Sequence, residues 1–293
     1  MQGHGRTGQR KTDRRAAQQS AAPSGSAAAQ RGRAGPEVYA PAWDTARRTL
    51  ARAARLWPAL LPSACLVCGD LQRDVVCARC ATALLRPSPH RPRCPRCAMP
   101  GSTGLCGTCA DDDPIDATLT LGDYASPFDR LILGLKFGAR LPAAGWIAAQ
   151  MAAQMAAEMT AQMAAHTAAA RRASTLPDLL LPIPLAPHRL AERGFNQAWE
   201  IARPLARRLG IGSSATLLCR QRDTPSQRAL DLAARHANLR DAFSLISDLS
   251  VAGAHVGLVD DVMTTGATLR EAARVLKAHG AVRVTAIVAL RTP

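Results

Sequence analysis

Residues 256–268 read VGLVDDVMTTGAT, and this segment indicates how the C-terminal part of the chain folds. Residues 256–259 form a short apolar run typical of a buried strand, and Asp260 and Asp261 follow directly. A small, hydroxyl-rich turn comes next and opens residues 269–279, which we predict to be a helix. Ligands of open parallel sheets collect at the carboxyl ends of strands. We therefore expect a binding site at this turn.

The turn has the composition of an anion-binding loop. It consists of Thr264, Thr265, Gly266, Ala267 and Thr268. Backbone N–H groups of such a turn converge on an anion, and the helix N-terminus adds a favourable dipole. The two carboxylates would repel a phosphate placed on them, but they suit the neutral hydroxyl groups of a sugar attached to that phosphate. A 5-phosphorylated ribose meets both requirements, whereas the alternative is a hairpin or helix cap with two unrelated acids.

Two other phosphate-binding motifs are missing from the sequence. It contains neither GxxxxGK[ST] nor GxGxxG, so it has neither the Walker loop nor the dinucleotide fingerprint. From residue 118 onward, apolar runs of strand length alternate with helix-like segments, which indicates an α/β fold with a mainly parallel sheet. We predict strands at 118–124, 179–183, 215–220, 256–259 and 282–290. A segment rich in Ala, Met and Gln predicts a lengthened surface helix over about 143–172.

Eight of the nine cysteines form two copies of one pattern, Cys-x2-Cys-x8-Cys-x2-Cys, offset by 29 residues. They are Cys65, Cys68, Cys77, Cys80, Cys94, Cys97, Cys106 and Cys109. Two Cys-x2-Cys turns together supply four thiolates, which favours structural zinc over an iron–sulfur cluster. A disulfide framework is the other alternative, although reducing compartments disfavour it. The spacing leaves open whether the pairs join sequentially or interleave. We expect Cys219, in a predicted strand, to be a core thiol.

The N-terminal segment differs in composition from the rest of the chain. Residues 1–45 have almost no aliphatic content, so we expect a disordered tail, followed by a short helix at 46–62. Residues 1–60 hold 11 Lys/Arg against 3 Asp/Glu, within a net charge of +15 for the chain. This excess indicates either a polyanion-binding arm or a solvated low-complexity tail. We predict three regions: a basic tail (1–62), a zinc-binding module (63–112) and an α/β domain (113–293).

The sequence carries no sign of membrane insertion or secretion. It has no run of about 18 uncharged apolar residues, and no apolar stretch follows the basic N-terminus as in a signal peptide. We expect a cytoplasmic protein. Aromatic residues make up 3% of the chain, which weakens the case for a stacking platform that binds single-stranded nucleic acid.

Residues 256–268 resemble the phosphoribosyl-pyrophosphate (PRPP) motif of type I phosphoribosyltransferases. Further segments resemble ComF/GntX-type, competence-associated proteins: LPIPLAPHRLAERGFNQA (181–198), LKFGAR (135–140) and a block of polar residues near residue 230. That block comprises Arg220, Arg222, Thr224, Gln227, Leu230, Arg235 and Asn238. The tandem cysteine module belongs to the same pattern. The resemblance covers about residues 65–293 and implies a type I phosphoribosyltransferase-like domain behind a double zinc-ribbon-like module.

The resemblance also implies roles for particular residues. Asp260 and Asp261 would bind the ribose hydroxyls, and the turn 264–268 would hold the 5-phosphate. Arg189 and Arg193 follow a predicted strand and carry donors suited to a diphosphate, and Lys136 is a further cation. Gly194 would let that loop approach closely, while Asn196 and Gln197 would donate or orient. The catalytic candidates are Asp260, Asp261, Arg193 and Lys136.

Two functions of different classes follow from this. The first is an enzyme that binds PRPP with Mg²⁺ and transfers the phosphoribosyl group to a nitrogen nucleophile, releasing pyrophosphate. The second is a non-catalytic factor in DNA uptake or DNA handling that uses the fold as a PRPP-responsive module, with single-stranded DNA or the competence machinery as partners. The sequence identifies no acceptor.

Overall fold

The computed structural model describes residues 63–85, 92–109, 112–164, 176–221, 242–246 and 250–293. The predicted tail with its helix at 46–62, the end of the helix predicted to 172, and most of the polar block from Arg222 to Asn238 lie outside these residues. Ser63 to Pro293 belong to one compact unit. No helix in the described ranges is long and apolar enough to span a membrane.

The cysteine-rich region contains little regular structure. Strands β1 (Ser63–Ala64) and β2 (Leu71–Gln72) pair antiparallel, and helix α1 (Ala78–Leu85) follows. In the second cysteine repeat, Arg93 and Pro100 form an isolated antiparallel bridge. Such short elements bury little apolar surface, so the cysteines themselves have to organise this region.

A five-stranded parallel sheet forms the centre of the α/β part. The remaining strands are β3 (Ala117–Asp123), β4 (Leu179–Pro182), β5 (Gly212–Ser213), β6 (Leu218–Arg220), β7 (Phe243–Leu245), β8 (His255–Met263) and β9 (Arg283–Arg291). The sheet order is β3-β9-β8-β4-β5, and every neighbouring pair is parallel. The predicted mainly parallel sheet flanked by helices is therefore confirmed.

Helices cover both faces of this sheet. They are α2 (Asp129–Phe137), α3 (Pro142–Ala164), α4 (Pro187–Arg193), α5 (Gln197–Leu209) and α6 (Ala267–Ala278). Val259 of β8 packs into a core with Met151 of α3 and Leu205 of α5. Its neighbour Leu258 packs into the other core with Leu276 of α6. Because adjacent strand residues face opposite sides, β8 is buried on both faces and lies at the centre of the fold.

The structure corrects three details of the predicted elements. Residues 215–220 do not join the parallel sheet; β6 pairs antiparallel with β7, and the fifth sheet strand is the two-residue β5. Strand β8 continues through the acid pair to Met263, and α6 begins at Ala267 instead of residue 269. The Met/Ala helix is not wholly a surface element, because Met151 and Met155 are buried in the core.

Candidate functional site

Three segments of the site follow strands that end at one edge of the sheet. Strand β3 leads to α2 with Lys136, β4 leads to α4 with Arg193, and β8 leads into the loop 264–266 before α6. These strands are mutually parallel, so their carboxyl ends lie at the same edge. Residues separated by more than 120 positions in the sequence are brought together there, as expected for the ligand site of an open α/β sheet.

The acid pair lies near the end of β8, and a lysine balances part of its negative charge. Asp261 is buried, and its Oδ2 lies 2.6 Å from Lys136 Nζ. Asp260 is half-buried and accepts a hydrogen bond of 2.8 Å from the backbone N–H of Asp261. Loss of hydration and the neighbouring Asp261 carboxylate raise the pKa of Asp260 well above its usual value. A ligand hydroxyl or a cation would stabilise the ionised pair.

The loop after the acids turns through a left-handed glycine into the start of α6. Gly266 adopts the left-handed conformation (φ 79°, ψ 3°) and caps α6. The backbone conformation favours glycine, and a Cβ atom at this position would displace the ends of the Met263 and Arg270 side chains. Thr265 Oγ1 accepts a hydrogen bond of 3.4 Å from the Ala267 N–H. The N-terminus of α6 opens directly behind this turn.

The predicted diphosphate segment is a short helix with two arginines on one face. Arg189 and Arg193 lie four residues apart in α4, which ends at Gly194 in the left-handed conformation (φ 77°). Arg193 Nη1 donates a hydrogen bond of 2.6 Å to Gln197 Oε1, and its guanidinium lies 5.6 Å from the centre of the Phe137 ring. Gln197 is buried, so it fixes Arg193 rather than facing a ligand.

The side chain of Asn196 makes two hydrogen bonds within the protein. Its Oδ1 accepts a hydrogen bond of 2.9 Å from the Ala198 N–H at the start of α5, and its Nδ2 donates one of 3.0 Å to the Ile183 carbonyl. The side chain therefore caps the helix and ties it to the end of β4. These two hydrogen bonds of Asn196 hold the segment 193–197 in position.

The eight repeated cysteines form two four-sulfur groups made of sequential pairs. Within each group all Sγ atoms lie within 4.8 Å of one another. The separations are 3.8 Å for Cys68–Cys77, 3.7 Å for Cys94–Cys109 and 3.5 Å for Cys97–Cys106. Disulfide sulfurs would be about 2.05 Å apart, whereas a tetrahedron around a metal with bonds of about 2.3 Å has edges of about 3.8 Å. The two groups fit the predicted zinc-ribbon-like module.

Hydrogen bonds stabilise a thiolate in each group, whereas burial raises the pKa of Cys80 and Cys109. Burial raises the pKa of Cys65, but hydrogen bonds from the backbone of Cys68, Cys77 and Val67 outweigh it and lower the pKa to about 6. In the second group, the Thr108 hydroxyl is the main reason that the pKa of Cys106 falls to about 6. Deprotonated sulfur is the form that binds metal. The chemistry of these donors therefore suits a thiophilic metal.

Some neighbours of the site were missed by sequence reasoning. Phe137 is 71% exposed beside Lys136 and lies against Arg193, and an exposed aromatic residue in the LKFGAR segment was the available signal. Arg270 donates a hydrogen bond to the carbonyl of Thr265 in the loop 264–266, and Arg291 donates one to the carbonyl of Met263 at the end of β8. No local pattern marks them, because their partners Asp113 and Cys97 are 157 and 194 residues away in the sequence.

Comparison with known proteins agrees with this geometry. The phosphoribosyl transferase domain family matches residues 197–293, which include β8, the acid pair and the loop. The fold and the site thus define a protein with a phosphoribosyltransferase domain. A glutamine PRPP amidotransferase from B. subtilis, solved with ADP and GMP, aligns with 45% of this chain and 25% of its own, at 20% identity and a TM-score of 0.28.

Several relatives that align with this chain over most of their own length identify the family. DNA utilization protein YhgH of Salmonella typhi is 32% identical over 231 residues, covering 76% of this chain and 95% of the relative. YhgH of Escherichia coli (strain K12) is 33% identical over 71% and 87% of the two chains. Competence protein F of Haemophilus influenzae is 33% identical over 60% and 73%. The chain belongs to this ComF/GntX-type family of competence-associated proteins, as its motifs predicted.

Proposed function

We propose that this protein binds PRPP together with Mg²⁺ at the carboxyl edge of its sheet. One observation carries the proposal: two carboxylates at the end of β8 stand directly before a left-handed glycine and a helix N-terminus. A phosphate bound at the helix start places its attached sugar against the acids. A 5-phosphoribosyl group combines a diol and an anion in this order.

The 5-phosphate is held by the loop 264–268. The N–H groups of this loop and the positive end of the α6 dipole attract the anion. The hydroxyls of Thr264, Thr265 and Thr268 add short donors, while Gly266 and Ala267 leave room for the phosphate oxygens. This loop supplies affinity and fixes the position of the sugar.

The acid pair recognises the ribose. Ionised Asp260 and Asp261 accept hydrogen bonds from the two sugar hydroxyls, and Lys136 balances part of their charge at 2.6 Å from Asp261. The oxygen-rich pair also suits Mg²⁺, which prefers carboxylate and phosphate oxygens. When bound, Mg²⁺ would neutralise charge on the diphosphate. The raised pKa of Asp260 makes ligand binding weaker at acidic pH, because a protonated carboxyl loses acceptor capacity.

The diphosphate binds beside the positively charged side chains of α2 and α4. Arg189 and Arg193 face one side of α4, and Phe137 and Gln197 hold the Arg193 guanidinium in place. A fixed fork of donors matches diphosphate oxygens and stabilises the charge that develops as this group leaves. Lys136 contributes a third positive charge from α2.

If the bound PRPP reacts, the C1–O bond to the diphosphate breaks and a C1–N bond to a nitrogen nucleophile forms. Pyrophosphate leaves with the bonding electrons, and the nucleophile releases its proton to solvent. The chain's residues position the two reactants and stabilise charge, so no covalent enzyme intermediate is required. The acceptor is tested by measuring pyrophosphate release from PRPP against a panel of nucleobases, amines and water.

The binding step is tested by calorimetric titration of PRPP with and without Mg²⁺. We expect Mg²⁺-dependent binding that is lost in the double variant Asp260→Asn/Asp261→Asn. Both substitutions preserve the size of the side chain, so we expect the double variant to fold. A thermal unfolding scan checks this. Unchanged affinity in the double variant would remove the site assignment.

The two four-sulfur groups are proposed to bind one structural Zn²⁺ each. Cys65, Cys68, Cys77 and Cys80 would hold the first ion, and Cys94, Cys97, Cys106 and Cys109 the second. Four thiolates at tetrahedral spacing favour zinc and leave no open position for a substrate. Elemental analysis should find two zinc ions per chain. A chain without zinc or iron would refute the metal module.

DNA handling is a second candidate function, favoured by the names of the relatives and by the charge. Residues 1–60 carry 11 Lys/Arg against 3 Asp/Glu. A phosphate-binding arm of this kind predicts affinity for single-stranded DNA that falls steeply with salt and drops when residues 1–60 are deleted. Fluorescence anisotropy with a labelled oligonucleotide measures both. Absent or salt-insensitive binding would exclude this function.

A further inference from the structure

The phosphate loop is braced from behind by two arginines that also contact the second four-sulfur group and the segment after it. Arg270 Nη1 donates a hydrogen bond of 2.7 Å to the Thr265 carbonyl, and its Nε donates one of 2.8 Å to Asp113 Oδ2. Asp113 lies four residues after Cys109, and its side chain is only 4% exposed. Arg270 therefore connects the loop to the segment that follows the second cysteine repeat.

Arg291 makes a parallel connection at the end of β9. It is 3% exposed, its Nε donates a hydrogen bond of 3.0 Å to the carbonyl of Cys97, and its Nη1 donates one of 3.2 Å to the carbonyl of Met263. Cys97 is a member of the second four-sulfur group, and Met263 is the last residue of β8. A buried guanidinium thus spans from a cysteine of that group to the start of the loop.

These contacts set the direction in which the loop presents its donors. A trans peptide is planar and its C=O and N–H groups point in opposite directions. Arg270 holds the Thr265 carbonyl, so the Gly266 N–H of the same peptide points away from Arg270. Arg291 holds the Met263 carbonyl and fixes the Thr264 N–H in the same manner. Both arginines turn carbonyl dipoles away from a bound anion.

The second cysteine repeat and the loop also share a cavity of about 630 Å³. Cys97 and Thr108 line one side, Thr264 and Thr265 line another, and Arg270 is at its wall. Cys97 also packs in one buried cluster with Met263 and Ala267, which flank the loop. Packing and the two arginine bridges therefore both connect the elements, and the arginines add direct hydrogen bonds to the carbonyls of Met263 and Thr265.

We propose that Arg270 and Arg291 are positioning residues that couple the second four-cysteine group to the phosphate loop, so that metal in this group raises the affinity for a phosphorylated ribose. The proposal rests on the PRPP-binding function and adds a control of that site. By linkage, bound PRPP must tighten metal in the second group by the same factor. The first group makes no such contact with the loop among the residues that the structure describes.

Arg93 provides a matched control. Its Nη1 donates a hydrogen bond of 3.1 Å to the Ala98 carbonyl, and its Nη2 contacts Asp123 Oδ1 at 2.7 Å. Arg93 thus anchors the same cysteine repeat to β3 without touching the phosphate loop. Lysine keeps the positive charge at either position but cannot reproduce the planar fork that reaches two acceptors. Arg270→Lys and Arg93→Lys therefore remove similar interactions, but only Arg270→Lys removes a contact with the loop.

The test uses the full chain with its metal. We expect Arg270→Lys to weaken Mg²⁺–PRPP binding by roughly tenfold in calorimetry, with the zinc content unchanged, since it removes a charge-assisted hydrogen bond at the loop. Arg93→Lys should change the affinity less than about twofold, as for a substitution without contact to the ligand site. If Arg270→Lys does not fold, Arg291→Lys tests the same claim.

The reciprocal effect gives a readout that does not depend on activity. Zinc release to a chromogenic chelator should slow for one of the two ions when Mg²⁺–PRPP is added. Cys109→Ser identifies that ion as the one in the second group, and Arg270→Lys should abolish the slowing. The variant Asp260→Asn/Asp261→Asn controls for zinc binding by PRPP itself.

The outcomes separate this proposal from the proposed function. If the wild-type chain binds no PRPP, the proposed function fails and the coupling fails with it. If PRPP binds normally but Arg270→Lys has wild-type affinity, the coupling alone is wrong. Identical release of both zinc ions with and without bound PRPP would also overturn the coupling while leaving the PRPP site in place.

Discussion

Replacing Gly266 with alanine tests the phosphate loop, because the structure gives both the conformational and the steric cost. Gly266 has φ 79°, and a non-glycine residue in this conformation costs roughly 1–2 kcal/mol. The new Cβ would also lie 2.4 Å from Met263 Cε, whose residue is 1% exposed and has little room to move. Overpacking of this kind adds about 1–3 kcal/mol. We expect a total loss of about 2–5 kcal/mol in unfolding free energy.

Gly253 is a matched control for this substitution. It has φ 75° in an exposed turn, and a Cβ there would meet nothing within 4 Å. Gly253→Ala should lose only the conformational part, about 1–2 kcal/mol. The effect of alanine on the unfolded chain is common to both variants and cancels in the comparison. Urea denaturation with linear extrapolation measures the two losses.

The same pair of variants separates loop geometry from general destabilisation. Gly266→Ala should weaken Mg²⁺–PRPP binding by tenfold or more, about 1.4 kcal/mol, because the loop must shift to relieve the contact. Gly253→Ala should bind PRPP as the wild type does. If both variants lose equal stability and both keep full affinity, then the loop does not hold the phosphate.

Three further predictions concern the acid pair and the metals. Lys136→Met should lower the unfolding free energy by about 2 kcal/mol or more in urea denaturation, because the buried Asp261 loses its cation; an unchanged midpoint would show that the pair is unimportant. Asp260→Asn should raise the melting temperature at neutral pH. Because the fold raises the pKa of Asp260, the protonated carboxyl stabilises the folded chain; this stabilisation is fully present below about pH 3.8 and is lost as the pH rises through the raised pKa. The difference in melting temperature between the variant and the wild type should therefore vanish in acid, and a constant difference would contradict this. Removing the metals with a chelator should abolish the cooperative unfolding of the cysteine region, followed by circular dichroism; unchanged melting would argue against structural zinc.

Local motifs made the central part of this site predictable from the sequence. Asp260, Asp261 and the loop 264–268 are contiguous, so their chemistry and their place after a strand could be read together. The cysteine spacing predicted the four-sulfur groups, but their sequential pairing required the structure. These features depend on separations of a few residues, over which sequence patterns are informative.

Features that depend on distant partners could not be predicted. The strand expected at 215–220 is apolar enough for the main sheet, yet β6 pairs with β7, which begins 23 residues after β6 ends. Strand β5 has two residues, too few for any periodicity. From its residue type, Asn196 could either donate to a ligand or orient the segment, and in the structure its side chain caps α5. Polar residue types alone do not distinguish these roles.

A crystal structure of the full chain with Mg²⁺ and PRPP tests the central claim most directly. We expect the 5-phosphate within about 3 Å of N–H groups of residues 264–268, with the ribose hydroxyls on Asp260 and Asp261. Ligand density elsewhere, such as in the cavity beside Thr108, with neither carboxylate in contact with the ligand, would contradict this expectation.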